Sequence, residues 1–151
     1  MATMTDEERD AFLAEPHLGV LSIAREGKGP LVAPIWYRYE PGKPFEMCMG
    51  SGSAKAHRLR AEGRATLAMI DDSGGRYRYV TIEGPVSLEV LGDRTRAEIL
   101  SMASRYLGPK GGHRYTENFM AKLESDDLHD GHGTDEVLVR LTPERWRTDV
   151  L

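Results

Sequence analysis

The chain has 151 residues, a formal net charge of −4 at pH 7 and one cysteine. That length corresponds to about one domain with a core of its own, and the acidic balance argues against a nucleic-acid-binding protein overall. A single cysteine excludes an internal disulfide, no apolar run approaches the ~20 residues of a membrane span, and the acidic N-terminus is unlike a signal peptide. We therefore expect one soluble, cytoplasmic domain over residues 1–151 that binds neither nucleic acid nor a membrane.

Alternating apolar residues, turn residues and helix caps predict a mostly β structure. In chain order, they predict a helix over residues 5–15, strands over 18–24, 31–39 and 45–49, a helix over 54–62, strands over 65–70 and 77–91, helices over 94–107 (capped by Asp93) and 114–123, a strand over 137–141 and a tail over 143–151. Gly84-Pro85 inside the long strand indicates a bulge or a barrel corner, because proline cannot donate to the ladder. Short turns and few helices predict a small, mostly antiparallel β-barrel with helices at its edges.

The junction between the third strand and the second helix is a candidate anion site. The apolar alternation stops at Gly50-Ser51-Gly52-Ser53, and the helix that follows begins with N–H groups that lack intrahelical acceptors. These donors, the helix dipole and two serine hydroxyls suit an anion. Lys55 adds a charge where the dipole alone would prefer an acidic residue, which a bound phosphate would explain. The alternative is an ordinary N-cap at Ser53.

Three arginines follow this junction. Arg58 lies one turn after Lys55, and Arg60 and Arg64 come next. As a group they would attract a polyanionic ligand. The alternative is a basic face that only contacts solvent.

The second predicted strand carries Pro34 and Trp36 on one face, and Tyr37 and Tyr39 on the other. Aromatic residues of strands usually pack in the core, which we expect for both tyrosines. Trp36 is the better candidate for stacking on a ligand ring, since it shares the face of Pro34. Tyr79 could border the same site, with cross-strand packing as its alternative.

Other chemistry is weakly represented. Cys48 lies within an apolar run and is expected to be a buried, inert thiol. His129 and His132 have a metal-ligand spacing, but a glycine-rich loop is poorly organised for a metal. Ser51 has no neighbouring base. We therefore predict neither a catalytic side chain nor a metal site.

Five segments together resemble a known family. PHLGVLSI, LVAPIWYRY, SGSAKAHRL, RATLAMIDD and RYVTIEGPVSLE are similar in order and spacing to the pyridoxamine 5′-phosphate oxidase-like superfamily, more narrowly to its actinobacterial flavin/deazaflavin oxidoreductase branch. The resemblance implies an FMN-binding split β-barrel that forms a homodimer, with two cofactor sites at the subunit interface. Fewer basic residues than in true pyridoxamine phosphate oxidases argue against vitamin B6 chemistry.

The resemblance also implies where a cofactor would lie. It places the phosphate of FMN or coenzyme F-420 at the strand–helix junction and the tricyclic ring along the second strand. The predicted cofactor-binding residues are Ala33, Pro34, Ile35, Trp36, Met49, Ser51, Ser53, Lys55, Arg58 and Tyr79.

The function that these expectations favour is an oxidoreductase that uses coenzyme F-420 or FMN as a hydride carrier to reduce a small organic substrate. Such a carrier supplies the chemistry itself, which agrees with the lack of an acid–base pair. The basic residues after Lys55 favour coenzyme F-420, because FMN lacks its oligoglutamate tail. The alternative is a flavin-, deazaflavin- or heme-binding protein without turnover.

Overall fold

The computed structural model describes residues 3–125 and 135–151. The strands of this part are β1 (Gly19–Ile23), β2 (Leu31–Ile35), β3 (Phe45–Gly50), β4 (Arg64–Asp71), β5 (Arg78–Val90), β6 (Glu136–Leu141) and β7 (Arg145–Val150). The helices are α1 (Asp6–Ala14), α2 (Ala54–Glu62) and α3 (Thr95–Ser125), with short 3₁₀ turns at Ser73–Gly75 and Gly92–Arg94. None of these helices is long and apolar enough to cross a membrane.

The strands form one antiparallel sheet in the order β2-β1-β4-β5-β6-β3, with β7 pairing on β5. An isolated bridge from Arg38 to Glu46 connects the chain after β2 to β3, so it joins the two ends of this path. The sheet thereby curves into a barrel with helices at its edges. The predicted mostly antiparallel barrel is confirmed.

β5 makes the corner that Gly84-Pro85 predicted. Its first part pairs with β4 and β7, whereas residues 86–90 pair with β6. A Cβ atom on Gly84 would lie 1.8 Å from the carbonyl oxygen of Thr142. The corner therefore needs glycine for its close backbone approach.

The barrel interior is filled by apolar side chains that alternate along the strands. Its fully buried members include Leu21, Ile23, Phe45, Met47, Leu67, Met69, Val80 and Val139. Tyr37 and Tyr39 belong to the same core, as predicted. The Tyr37 hydroxyl donates to the carbonyl oxygen of Glu15 at 3.1 Å, which ties the end of α1 to the barrel.

β2 ends at Ile35 rather than continuing to Tyr39. Side chains of α3 replace the strand partners there: the Tyr37 amide donates to the Tyr106 hydroxyl at 3.1 Å, and the Tyr37 carbonyl accepts from Arg105 at 3.0 Å. The apolar alternation of residues 31–39 gave no sign of this exchange. The prediction of one continuous strand is wrong in its second half.

α3 consists of two helices joined across a kink at Gly108, where φ is 75° and ψ is 174°, so the predicted end of the first helix at this glycine is confirmed. The second helix begins before the predicted residue 114. The two halves pack on each other, since a Cβ on Gly112 would lie 2.6 Å from the Cα of Ser104. The predicted cap at Asp93 is wrong. Asp93 lies in the preceding 3₁₀ turn, and the Thr95 hydroxyl donates to the Gly92 carbonyl at 2.7 Å.

The predicted tail after residue 143 is strand β7, which pairs with Arg78–Glu83 of β5. Its sequence, RWRTDV, has few apolar residues, because most of its side chains are partly or fully exposed. The backbone ladder to β5 holds this strand in place, together with the Trp146 ring, which packs against Phe45 and Tyr39 of the core.

Candidate functional site

A cavity of about 410 Å³ lies where β3 and β6 meet the end of β2, the start of α2 and both halves of α3. Most of its wall is apolar or aromatic. Its lining residues are Leu18, Pro34, Ile35, Trp36, Cys48, Met49, Gly50, Ser53, Lys55, Ile99, Met102, Tyr115, Phe119 and Glu136. A cavity of this size, with a few polar groups among apolar ones, is typical of a small-molecule site.

Ser53 forms the N-cap of α2. Its hydroxyl accepts from the Ala56 amide at 3.2 Å and donates to the Gly50 carbonyl at 2.7 Å. The ordinary-cap alternative is thus correct for this side chain, and its one hydroxyl hydrogen is already used. An anion at this junction would be bound by Lys55 and by the first amides of the helix instead.

Ser51 holds the loop between β3 and α2 together. Its amide donates to the Asp135 carbonyl at 2.8 Å. Arg60 donates both to the Ser51 carbonyl, at 2.7 Å, and to the Ser51 hydroxyl, at 3.0 Å. Both residues therefore fix the shape of the junction from outside the cavity.

The other two arginines of the predicted basic group have carboxylate partners. Arg58 pairs with Glu62 at 3.1 Å, one turn further along α2. Arg64 lies on β4 and pairs with Glu144 at 2.6 Å. Because these charges are compensated locally, the group is a weaker attractor for a polyanion than the sequence predicted.

Trp36 forms the aromatic part of the cavity wall. Its ring stacks on Tyr106 with centroids 5.0 Å apart, and Tyr115 lies tilted against it at 5.1 Å. The Tyr106 hydroxyl donates to the His17 carbonyl at 2.7 Å. Contacts with α3, and not the strand alternation used in the prediction, set the position of the indole.

The cavity brings together most of the predicted cofactor-binding residues. Those that line it are Pro34, Ile35, Trp36, Met49, Ser53 and Lys55. Four do not line it. Ala33 lies on the opposite face of β2 from Pro34, Ser51 and Arg58 are held as described above, and Tyr79 pairs with Ile70 and Asp149 inside the sheet.

Glu136 is the main residue that the sequence reasoning missed. It begins β6, lies opposite Gly50 of β3 and is 2% exposed. Burial raises the pKa of its carboxyl to about 8, while the positive charge of Lys55 acts in the opposite direction. One sign was available in the sequence: a glutamate directly before the apolar strand 137–141. No comparable sign in the sequence pointed to the cavity wall that α3 contributes. Apolar residues of a helix ordinarily pack in the core, so nothing marked these as cavity residues.

Cys48 lines the same cavity on the face that carries Glu136. Burial raises the pKa of its thiol to about 12, so it is protonated at neutral pH. A protonated thiol is a poor nucleophile. The expectation of an inert cysteine agrees with this environment.

The structure offers no metal centre within residues 3–125 and 135–151, where no three His, Cys, Asp or Glu side chains are grouped to hold an ion. His129 and His132 lie outside the described residues.

The fold and the cavity define a β-barrel with a ligand-sized cavity. The sequence model of the pyridoxamine 5′-phosphate oxidase family matches residues 5–148 of the chain. The chain belongs to the pyridoxamine 5′-phosphate oxidase family, and the predicted resemblance is confirmed.

Individual relatives agree with this membership. An F420H2-dependent biliverdin reductase of Mycobacterium tuberculosis is 27% identical over 113 residues, which cover 74% of this chain and 80% of the relative. A solved structure of a conserved hypothetical protein from the same species has a TM-score of 0.70 at 22% identity, over 96% of this chain and 84% of that one. A solved F420 reductase has a TM-score of 0.66 at 21% identity, and the match covers 91% of this chain and 94% of that one. These structures confirm the split β-barrel fold.

Proposed function

We propose that this protein is an oxidoreductase that uses coenzyme F-420, or FMN, as a hydride carrier to reduce a small organic substrate. The observation that carries this proposal is the cavity, which joins Lys55 at a strand–helix junction to the apolar wall of Pro34, Ile35 and Trp36. It is supported by the activities for which the biliverdin reductase and the F420 reductase are named.

The residues present fit such a carrier, which consists of a flat tricyclic ring and a phosphate-bearing side chain. Lys55 and the first amides of α2 suit the phosphate, because a cation and a helix N-terminus both favour an anion. Ile35, Trp36 and Met49 offer the apolar contacts that a flat ring requires. The volume of about 410 Å³ lies within the usual range for ligand pockets.

A bound carrier supplies the hydride chemistry, and the chain's own residues do the rest. Lys55 binds the anionic group. The apolar wall orients the ring and excludes water, which strengthens every polar interaction in the site. Cys48, protonated at neutral pH, does not attack the substrate.

Coenzyme F-420 is the carrier that we favour, because two of the relatives are named for it. Any contribution of Arg58, Arg60 and Arg64 to its glutamate tail should be small and sensitive to salt, since each already contacts an oxygen acceptor. Fluorescence titrations at two ionic strengths measure this directly. We expect coenzyme F-420 to bind more tightly than FMN, by a margin that narrows at high salt. Tighter FMN binding at both salts would overturn the deazaflavin assignment.

Activity is tested by mixing the protein with each reduced carrier and a panel of enones, quinones and tetrapyrroles. The expected result is oxidation of the carrier that depends on both the protein and one acceptor class. Tight binding of a carrier or of heme, without oxidation by any acceptor, would instead show a binding protein without turnover.

A further inference from the structure

We propose that Glu136 is the acid that delivers a proton to the substrate inside the cavity. This inference rests on the reduction proposed above, and it gives the site a catalytic side chain, which the sequence did not predict. Reduction of a double bond needs a hydride on one atom and a proton on the other. The carrier provides only the hydride.

The position of Glu136 suits this role. The residue begins β6 opposite Gly50 of β3, and both residues line the cavity. Ile99 and Met102 of α3 also line the space. A carboxyl that is 2% exposed yet borders a cavity can reach a bound molecule while remaining shielded from bulk water.

Among the described residues, three titratable groups face Glu136 from the elements packed around it: Cys48 from β3, Lys55 from α2 and Tyr115 from α3. Burial raises the pKa of the Cys48 thiol and of the Tyr115 hydroxyl, so both are neutral at pH 7. Lys55 is the cation of the group.

Further along the same face of β3 and β6, the charges are held in ion pairs. Arg38 pairs with Glu46 and Glu98, and Arg140 pairs with Glu46 and Glu89. Glu136 and Lys55 are the carboxylic acid and the amine that line the cavity within the described part of the chain.

This environment keeps the carboxyl protonated at neutral pH. Burial raises its pKa to about 8, against the opposing effect of Lys55. A phosphate bound to Lys55 would offset that positive charge and favour the protonated form further. The loaded site therefore holds an acid with its proton in place, close to the pH at which it must act.

Reduction of an enone shows where the hydride, the electron pair and the proton go. A bound reduced carrier would supply a hydride to the β-carbon, and the electron pair of the C=C bond would move to the α-carbon. The O–H bond of Glu136 breaks as the new C–H bond forms at the α-carbon. The Glu136 carboxylate then regains a proton from solvent.

The test compares wild type with Glu136→Gln, which keeps the shape of the side chain but cannot supply the proton. Glu83→Gln, at a site on β5 outside the cavity, is the matched control. The probes are reduced coenzyme F-420 or FMN with cyclohexenone and menadione. Carrier affinity, kcat and its pH profile are measured, together with the infrared absorption of the carboxyl groups in carrier-free protein.

We expect Glu136→Gln to bind the carrier within about threefold of wild type and to lose ~10²–10⁴-fold in kcat, the usual range for general acid catalysis. In wild type, kcat should fall above a pH of about 8. The protonated-carboxyl band at neutral pH should be lost in Glu136→Gln only. Glu83→Gln should match wild type.

Full kcat in Glu136→Gln would overturn the proposal while leaving the proposed function intact, as would the absence of a protonated-carboxyl band that depends on Glu136. A wild-type protein that binds no carrier, or binds one without oxidising it with any acceptor, would overturn the proposed function and this role with it.

Discussion

Lys55 is the residue on which the anion site depends most. The Ser53 hydroxyl already donates to the Gly50 carbonyl, and Lys55 is the lysine or arginine that lines the cavity within the described part of the chain. Its charge lies in the first turn of α2, where it opposes the helix dipole and gains nothing for stability.

We expect Lys55→Ala to weaken carrier binding by about 1.5–3 kcal/mol, the range for a charge-assisted hydrogen bond. Calorimetry with coenzyme F-420 and FMN measures this change. Lys28→Ala, at an exposed residue of the β1–β2 turn, is the control for loss of a positive charge alone. Affinity within twofold of wild type in Lys55→Ala would show that the lysine is only a surface residue.

Glu136 also makes the stability of the protein depend on pH. Its folded pKa of about 8 lies above the ordinary value of 4.5, so the folded state keeps a proton that the unfolded state releases between these values. The free energy of unfolding of wild type, relative to Glu136→Gln, should therefore fall as pH rises through this window and level off above it.

The expected fall is on the order of a few kcal/mol. Urea denaturation of both proteins, at about pH 5 and about pH 8, measures it. A difference between the two proteins that does not change with pH would show that the carboxyl titrates alike in both states.

At the scale of elements, Arg105 connects α3 to the rest of the molecule. Its guanidinium donates to the carbonyl oxygens of Leu13, Ala14, Glu15 and Tyr37 at distances of 2.9–3.0 Å. These are the last residues of α1, its C-cap and the segment after β2. Arg105 thereby fixes α3, which lines the cavity, against α1 and against the segment that carries Trp36.

We expect Arg105→Ala to lower the free energy of unfolding by about 2–4 kcal/mol, because these carbonyls lose a charged donor. Arg96→Ala is the matched control on the same helix. Its ion pair with Glu117 is about half exposed, so its loss should cost less than about 1 kcal/mol. Equal urea midpoints for Arg105→Ala and wild type would contradict this account.

At the scale of the whole molecule, the cavity is open on an apolar side. Leu18 and Tyr115 line it yet are 53% and 40% exposed. Exposed apolar residues at the mouth of a cavity are typical of a surface that another subunit covers. The homodimer, in which both subunits would complete each site, stays a prediction, and Leu18 and Tyr115 mark the surface where its interface would lie.

A stable dimer of this kind should bury ~2,000 Å² or more. Light scattering at micromolar concentration is expected to give twice the mass of one chain, with and without the carrier. A monomer that binds the carrier with full affinity would contradict a shared site.

The sequence by itself determined the elements that depend on neighbouring residues. The capping box of Thr5 and Glu8, the bounds of α2 and the β5 corner at Gly84-Pro85 all follow local rules, and the structure has each of them. The order and spacing of five segments were also enough to identify the family, which matches residues 5–148.

Only the tertiary structure decided the features that depend on residues far apart in the chain. β7 exists because β5 pairs with it, β2 ends where Arg105 and Tyr106 replace its partners, and the halves of α3 pack together across Gly108. Glu136 follows the same principle. Its pKa is raised by burial among β3, α2 and α3, and the apolar strand that follows the glutamate indicates burial without specifying these neighbours.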